Sequence, residues 1–357
     1  MDSKGCLCVN LADREASYAR NSAMQSAEQN KMKPIIEEAV TGLLKSATHV
    51  PSTMVIADLG CSSGPNALEL VSTAVDAVRC AALTLNGQAP PELSVLLNDL
   101  PDNDFNDVAK RLVLLQQGTQ SLGMVLTGIV PGSFYNRLFP SNSLHLVVSS
   151  NSLHWLSEAP EDLKSNRIPL HDKDEGLRQA RRNMVIQAYR QQFRKDFTLF
   201  LNLRAQELVP GGRMVVSMVG VRGYHCMAPL WDIVTSPLND MASRGVISRE
   251  MLDCFYVPMH GPSDLELQEI IEDEGSFMLN KMQVHEVEKS LAAPNMGARA
   301  MRAVFEPMIV HHFGPADDVM NEFVRTLEQH LTPGSPQHAA LHLDDRVSVC
   351  AFLTKRF

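Results

Sequence analysis

The sequence predicts an α/β fold in which a mostly parallel, doubly wound sheet carries helices on both faces, with a helical cap inserted before the last strand. Three observations predict it. Short apolar runs alternate with helical periodicity over residues 1–220. The run Met54-Val55-Ile56-Ala57 ends at Asp58 and a glycine-containing turn, the pattern of a buried parallel strand with a binding loop at its carboxyl end. From about Val221 to Gln337 the alternation gives way to a Met- and Pro-rich, mostly helical pattern.

The first helix is expected from Met32 to Leu44, where Met32, Ile35, Ile36, Ala39, Val40, Leu43 and Leu44 share one face. His49-Val50-Pro51-Ser52 breaks that pattern ahead of the first strand. Leu68, Val71, Val75, Val78 and Ala82 restore the helical period, and a second strand, Leu93 to Leu97, ends at Asn98-Asp99-Leu100-Pro101. Val125 to Val130, before Pro131-Gly132, and Leu144 to Val148 read as further strands. Lys164 to Lys173 is polar and reads as a mobile surface loop. A long helix, about Glu175 to Leu208, turns Val185, Ala188, Tyr189 and Leu201 inward and stops at Pro210-Gly211-Gly212. The strand Met214 to Met218 follows at once, and Val347 to Leu353 is the last. Within the cap, Ser263-Asp264-Leu265-Glu266 is a capping box for a helix ending near Gly275. The expected division is a core of residues 1–220 and 338–357, and a cap of residues 221–337 over the carboxyl edge of the sheet.

Composition narrows the function. With 357 residues and 45% hydrophobic content, the chain has ample material for a packed core. A net charge of -9 without a basic block argues against a nucleic-acid partner. The seven cysteines are scattered, and Cys6 and Cys8 have no partners at zinc-finger spacing, so they read as reduced cytosolic thiols. Met1 to Asn10 lacks the basic and apolar segments of a secretory leader, and no run approaches the roughly 18–20 apolar residues of a membrane span. A cytoplasmic globular protein is expected.

The strongest local signal is Asp58-Leu59-Gly60-Cys61-Ser62-Ser63-Gly64-Pro65-Asn66, between a strand and a helix. Glycine after the strand permits a tight turn and close approach of a ligand. Two glycines do not complete G-x-G-x-x-G, which argues against a dinucleotide and for a nucleotide-like ligand without pyrophosphate. Asp99, at the end of the second strand, is placed to accept hydrogen bonds from ribose hydroxyls. A plain strand-to-helix turn is the competing reading of this motif, as a tight turn is of Pro210-Gly211-Gly212.

Taken in order along nearly the whole chain, several motifs resemble those of the plant SABATH methyltransferases. They are Ser17 to Gln25, Asp58 to Asn66, Asn98 to Asn106, Pro131 to Tyr135, Ser152-Leu153-His154-Trp155-Leu156-Ser157, Phe305-Glu306-Pro307 and His312-Phe313-Gly314. Members of that family methylate salicylate, benzoate, indole-acetate, jasmonate, gibberellins and, in one branch, xanthine alkaloids. The resemblance implies a Rossmann-like class I methyltransferase fold, S-adenosylmethionine as methyl donor, a small carboxylic acid as acceptor and a homodimer. It also implies residue roles. Tyr18 and Ser22 would lie over the methionine end of the donor. Asp58, Gly60, Cys61 and Asn66 would line its turn. Asp99 and Leu100 would take the ribose and adenine, with Ser133, Phe134 and Ser150 completing the site. Gln25 and Trp155 would grip the acceptor carboxylate, His154 would border it, and Trp231 and Met308 would wall its pocket. From their surroundings alone, Trp155, Phe134 and Met308 also read as core, His154 as a satisfied buried histidine and Gln25 as a solvated helix residue.

The chemistry implied is mainly positioning. A carboxylic acid with a pKa near about 4 is already ionised at neutral pH, so no general base is needed. The indole N–H of Trp155 and the amide of Gln25 supply neutral donors for one carboxylate oxygen while the other faces the methyl group. A guanidinium in their place would bind the anion tightly and blunt its nucleophilicity.

The chain departs from the family pattern twice. Some members bind magnesium near the acceptor through an Asn, an Asp, a backbone carbonyl at Phe and a final Asn. Asn166, Asp253 and Phe255 match, but Tyr256 stands in the last position, and a phenol is a poor magnesium ligand at neutral pH. Asn151 stands where an aromatic residue often lines the acceptor pocket, which suggests a roomier or more polar floor. Two rival functions are weighed. Purine-alkaloid N-methylation shares the His154-Trp155 pair but has no need of a donor at Gln25. A non-catalytic S-adenosylmethionine-binding protein would have lost the acceptor contacts that Gln25 and Trp155 retain.

Overall fold

The computed structural model describes residues 18–46, 51–82, 90–119, 124–172, 174–223, 230–287, 293–315 and 317–357. The expectations placed on Met1 to Asn10, on Ser17, on His49-Val50 and on Lys173 lie outside these residues. Seven strands form one sheet: β1 (Thr53–Leu59), β2 (Glu92–Asp99), β3 (Val125–Pro131), β4 (Leu144–Ser150), β5 (Leu208–Val221), β6 (Phe277–Glu286) and β7 (Arg346–Lys355), in the order β3-β2-β1-β4-β5-β7-β6. β1 to β5 are parallel to one another, while β7 runs antiparallel between β5 and β6. The fold is that of a class I methyltransferase, as the resemblance implies.

The helices are α1 (Tyr18–Asn21), α2 (Ala23–Ser46), α3 (Glu69–Ala82), α4 (Phe105–Thr119), α5 (Glu161–Ser165), α6 (Glu175–Glu207), α7 (Asp232–Ser243), α8 (Arg249–Asp253), α9 (Asp264–Glu274), α10 (Pro294–Phe313), α11 (Asp317–Leu331) and α12 (Pro336–Ala340). Two hydrophobic cores sandwich the sheet. In β1, Ala57 and Leu59 face one core while Met54 and Ile56 face the other, as alternation along a strand demands. α2, α3 and α4 cover the second face, and α6, α7, α9, α10 and α11 contribute to the first. Tyr189, Phe193, Phe197 and Phe200, spaced at one turn along α6, are fully buried against that first face.

Several expectations are revised. α2 begins at Ala23, nine residues before the apolar stripe, which puts Gln25 in its first turn. The segment 221–337 is not helical throughout: Phe277–Glu286 is the sheet's edge strand, paired along its length with β7. Its polar alternation hid it, since only Phe277 is buried and Lys281, Gln283, His285 and Glu286 dilute the strand signal. The Pro210-Gly211-Gly212 turn is a bulge inside β5, between the pairs Leu144–Leu208 and Leu146–Arg213. The segment after Lys164 is tied down: Leu170 is buried, Asp172 pairs with Arg181 at 2.9 Å, and Tyr256 holds its carbonyls. The capping box holds, with Ser263 accepting from the amide of Glu266 and Gly275 left-handed at φ 82°.

Candidate active site

The carboxyl ends of β1, β2, β3 and β4 converge on a cavity of about 880 Å³. After β1 the chain turns at Gly60, whose φ is 80° and whose amide, with that of Cys61, donates to the Asn98 carbonyl at 2.9 and 3.0 Å. A Cβ at Gly60 would lie 2.3 Å from Ser152 Oγ, so only glycine fits the turn. Ser62 follows in a left-handed conformation, and its amide donates to Asp99 Oδ2 at 2.5 Å. The amide of Leu100 donates to the other Asp99 oxygen at 2.7 Å. Asn103 Nδ2 donates to the Ser62 carbonyl, and Asp107 accepts from the amide of Gly64, so α4 braces the same loop.

Two carboxyls sit here, Asp58 buried and Asp99 half-buried against the cavity. Burial, then the neighbouring Asp99, pushes Asp58 up to about 8, against one opposing backbone hydrogen bond. Burial pushes Asp99 up to about 6, partly offset by the Leu100 and Ser62 amides. Carboxyls raised in this way gain from a cationic ligand, which restores the ionised form. Burial, with Asp99 second, also holds the Tyr18 phenol above its usual range, so it stays a neutral donor. A sulfonium donor with a ribose and an adenine fits this lining: the Asp99 carboxyl, a close backbone turn at Gly60, and the Leu100 and Phe134 side chains as apolar borders.

The opposite wall of the cavity is built on the segment after β4. Asn151 is left-handed at φ 53°, its amide donating to the Ser217 carbonyl at 2.8 Å and its Nδ2 to Ser150 Oγ at 3.3 Å. Trp155 forms an isolated β-bridge with Met259, flanked by the hydrogen bonds of His260 N to His154 O and Leu156 N to Pro258 O. The Trp155 ring lies 5.7 Å from that of Phe305 on α10. Burial pushes His154 down to about 4, so it is neutral at physiological pH. Gln25 enters from α2, which is pinned where Asn66 Nδ2 donates to Ser22 Oγ at 2.9 Å and to the Ser22 carbonyl at 3.0 Å.

Thirteen of the residues named from the sequence line this one cavity: Tyr18, Gln25, Gly60, Cys61, Asn66, Asp99, Leu100, Ser133, Phe134, Ser150, Asn151, His154 and Trp155. Four do not. Ser22 stands behind Asn66, and Asp58 lies buried behind the wall. Trp231 stacks on Tyr189 at 4.1 Å, away from the cavity, and its neighbours Leu230 and Ile233 supply the wall instead. Met308 is core, and Val304 and Phe305 of the same helix face the cavity. Sequence reasoning did not single out Ser152, which packs over Gly60, or Tyr135, whose hydroxyl holds Trp155, although both stand inside the quoted motifs.

The magnesium set does not fit. The Asn166 amide donates to the Asp162 carbonyl, and Asp253 lies 3.7 Å from the Arg249 guanidinium. The Tyr256 hydroxyl is 3.1 Å from the carbonyls of both Leu163 and Ile168, and burial, then Cys254 and Asp253, pushes it up to about 12. It serves as a donor to the loop rather than as a metal ligand.

The model of the SAM dependent carboxyl methyltransferases matches residues 5–356. The chain belongs to that family. Curated relatives include a probable jasmonic acid carboxyl methyltransferase of Theobroma cacao, 38% identical over 90% of this chain and 92% of its own. A salicylate carboxymethyltransferase of Clarkia breweri is 37% identical with the same coverage, and an anthranilate O-methyltransferase of Zea mays is 34% identical over 92% of this chain and 93% of its own. Among solved structures, a loganic acid methyltransferase with SAH superposes with a TM-score of 0.81, at 26% identity over 98% of this chain and 99% of that one. This carboxyl methyltransferase therefore uses S-adenosylmethionine as its methyl donor. Among the described residues, no helix is long and apolar enough to cross a membrane.

Proposed function

We propose that this carboxyl methyltransferase esterifies a small plant acid such as salicylate, benzoate, anthranilate or indole-acetate, with Gln25 and Trp155 gripping its carboxylate. The observation that carries this reading is that Asp99, Gly60 and Phe134 line the same cavity as Gln25, His154 and Trp155. S-adenosylmethionine supplies an electrophilic methyl group on a sulfonium. The chain's own residues do the rest. Asp99 keeps its remaining lone pairs for ribose hydroxyls while its backbone partners fix its orientation. Phe134 and Leu100 border the adenine. The indole N–H of Trp155 and the amide of Gln25 hold one carboxylate oxygen, leaving the other free to attack. His154, neutral through burial, adds no charge that would tether the anion. The apolar wall of Leu230, Ile233, Val304 and Phe305 strips water from the nucleophile. No acid–base step is required of any side chain.

The relatives named as carboxyl or O-methyltransferases support this reading over purine N-methylation and over a non-catalytic donor-binding protein. A screen with methyl-labelled donor against benzoate, salicylate, anthranilate, indole-acetate, jasmonate and xanthosine tests it. Label in a base-labile methyl ester is expected, and label confined to xanthosine contradicts it. The same reading includes a cytoplasmic homodimer, checked by sedimentation and by cell fractionation.

A further inference from the structure

One fully buried ion pair grips four main-chain groups of the turn that follows β3. Arg204 and Glu207, one turn apart near the end of α6, both have side chains wholly shielded from solvent, with Nε and Oε2 2.8 Å apart. The guanidinium donates to the carbonyls of Phe134 at 2.9 Å and Asn136 at 3.0 Å. The carboxylate accepts from the amides of Leu138 at 2.7 Å and Phe139 at 3.1 Å. A turn without strand partners must satisfy its polar groups in some way, and here α6 reaches across to do it. A buried ion pair is an expensive way to gain stability, since apolar residues of similar volume commonly serve as well. What such a pair does supply is a fixed geometry at both ends.

The turn it fixes has two faces. Phe134 lines the donor end of the cavity, and its ring meets that of Phe200 edge-on at 6.1 Å. The next residue, Tyr135, donates its hydroxyl to the Trp155 carbonyl at 2.7 Å. We propose that Arg204 and Glu207 are positioning residues for methyl transfer. Their pair locks the turn 133–139 so that Phe134 borders the methyl donor while Tyr135 sets the acceptor clamp Trp155. Both substrates are then aligned from one buried anchor. The proposal rests on the reading that Phe134 faces the donor and Trp155 the acid.

The test compares Arg204→Lys with the double variant Arg204→Met, Glu207→Leu, each also made in a Trp231→Phe background so that Trp155 is the sole tryptophan. The double variant, apolar at both positions, leaves the Phe134 and Asn136 carbonyls and the Leu138 and Phe139 amides without these partners, so it is expected to melt lower while staying folded at the assay temperature. Its dissociation constant for S-adenosylmethionine by calorimetry and its KM for the acid should both rise about tenfold or more. Lysine keeps the charge but reaches only one carbonyl, so its constants should fall between wild type and double variant. If the double variant does not fold, Arg204→Lys decides, with about three- to tenfold rises in both constants in a protein still folded at the assay temperature. Acrylamide should also quench Trp155 fluorescence more readily in either variant. Wild-type constants in a folded variant, or a rise confined to the donor with Trp155 quenching unchanged, overturn the proposal. Calorimetry and quenching need no turnover, so a wild type that methylates no acid defeats the proposed function without deciding this one.

Discussion

The hydroxyl of Tyr135 donates a 2.7 Å hydrogen bond to the main-chain carbonyl of Trp155. Burial, then Asp196, raises the phenol above its usual range, so it remains a donor throughout physiological pH. Removing it leaves a partly buried carbonyl without this partner, a cost of about 1–3 kcal/mol. Tyr135→Phe should therefore raise KM for the acid roughly five- to tenfold, with donor affinity unchanged in calorimetry. Equal weakening of donor and acid would show that the bond serves the whole turn and not the clamp.

Trp155→Ala removes both the proposed carboxylate donor and the ring that packs on Phe305. Turnover should fall by about 100-fold or more, while donor binding changes less than about twofold. Parallel loss of both would place Trp155 in the core rather than at the acceptor.

Donor affinity should depend on pH, and the sign follows from the carboxyls. Burial pushes the Asp99 carboxyl up to about 6 and that of Asp58, behind it, up to about 8. A sulfonium favours their ionised forms, so binding releases protons and affinity rises with pH. Calorimetry should find binding about tenfold weaker at pH 5 than at pH 8, with proton release visible as a buffer-dependent enthalpy. Asp99→Asn should flatten the acid limb. A flat wild-type profile would contradict the assignment.

Gly60→Ala forces a side chain into a left-handed turn and against Ser152 Oγ. Backbone strain of about 1–3 kcal/mol is expected, with a lower melting temperature and weaker donor binding together. An alanine variant that binds as wild type would mean the turn is free to shift.

A chelator should leave the rate unchanged, because Tyr256, whose hydroxyl is committed to the Leu163 and Ile168 carbonyls, stands where the last magnesium ligand would be. Tyr256→Phe should cost about 1 kcal/mol in stability through the loop carbonyls it releases, read by denaturant unfolding. Inhibition by chelator, relieved by magnesium, would overturn this.

The sheet was legible because its inner strands are buried on both faces and announce themselves as apolar runs. β6 was not, because an edge strand exposed on one side mixes in polar residues, here Asn280, Lys281, Gln283, His285 and Glu286, that dilute its apolar run. The proposed donor half of the cavity was legible for a local reason: Asp58 to Asn66 and Asn98 to Asp104 are contiguous motifs, and their backbone turns form that part of the lining. The acceptor wall was not. Trp231 lies one position from Leu230 and two from Ile233, and Met308 lies one turn beyond Val304 and Phe305; an apolar pattern marks the inward face but not which of its residues reaches the cavity. Arg204 and Glu207 carried no signal at all, since a charged pair one turn apart on a long polar helix reads as a solvated surface pair.

The central claim is that a carboxylate, held by Gln25 and Trp155, receives the methyl group. The most direct measurement is mass spectrometry of the product formed from methyl-labelled S-adenosylmethionine and the best acid of the panel, by wild type and by Gln25→Ala. A labelled methyl ester that base hydrolyses back to the acid, formed much more slowly by the variant, is the predicted result. Label on nitrogen or on a phenolic oxygen, or an ester formed equally fast by both proteins, would contradict it.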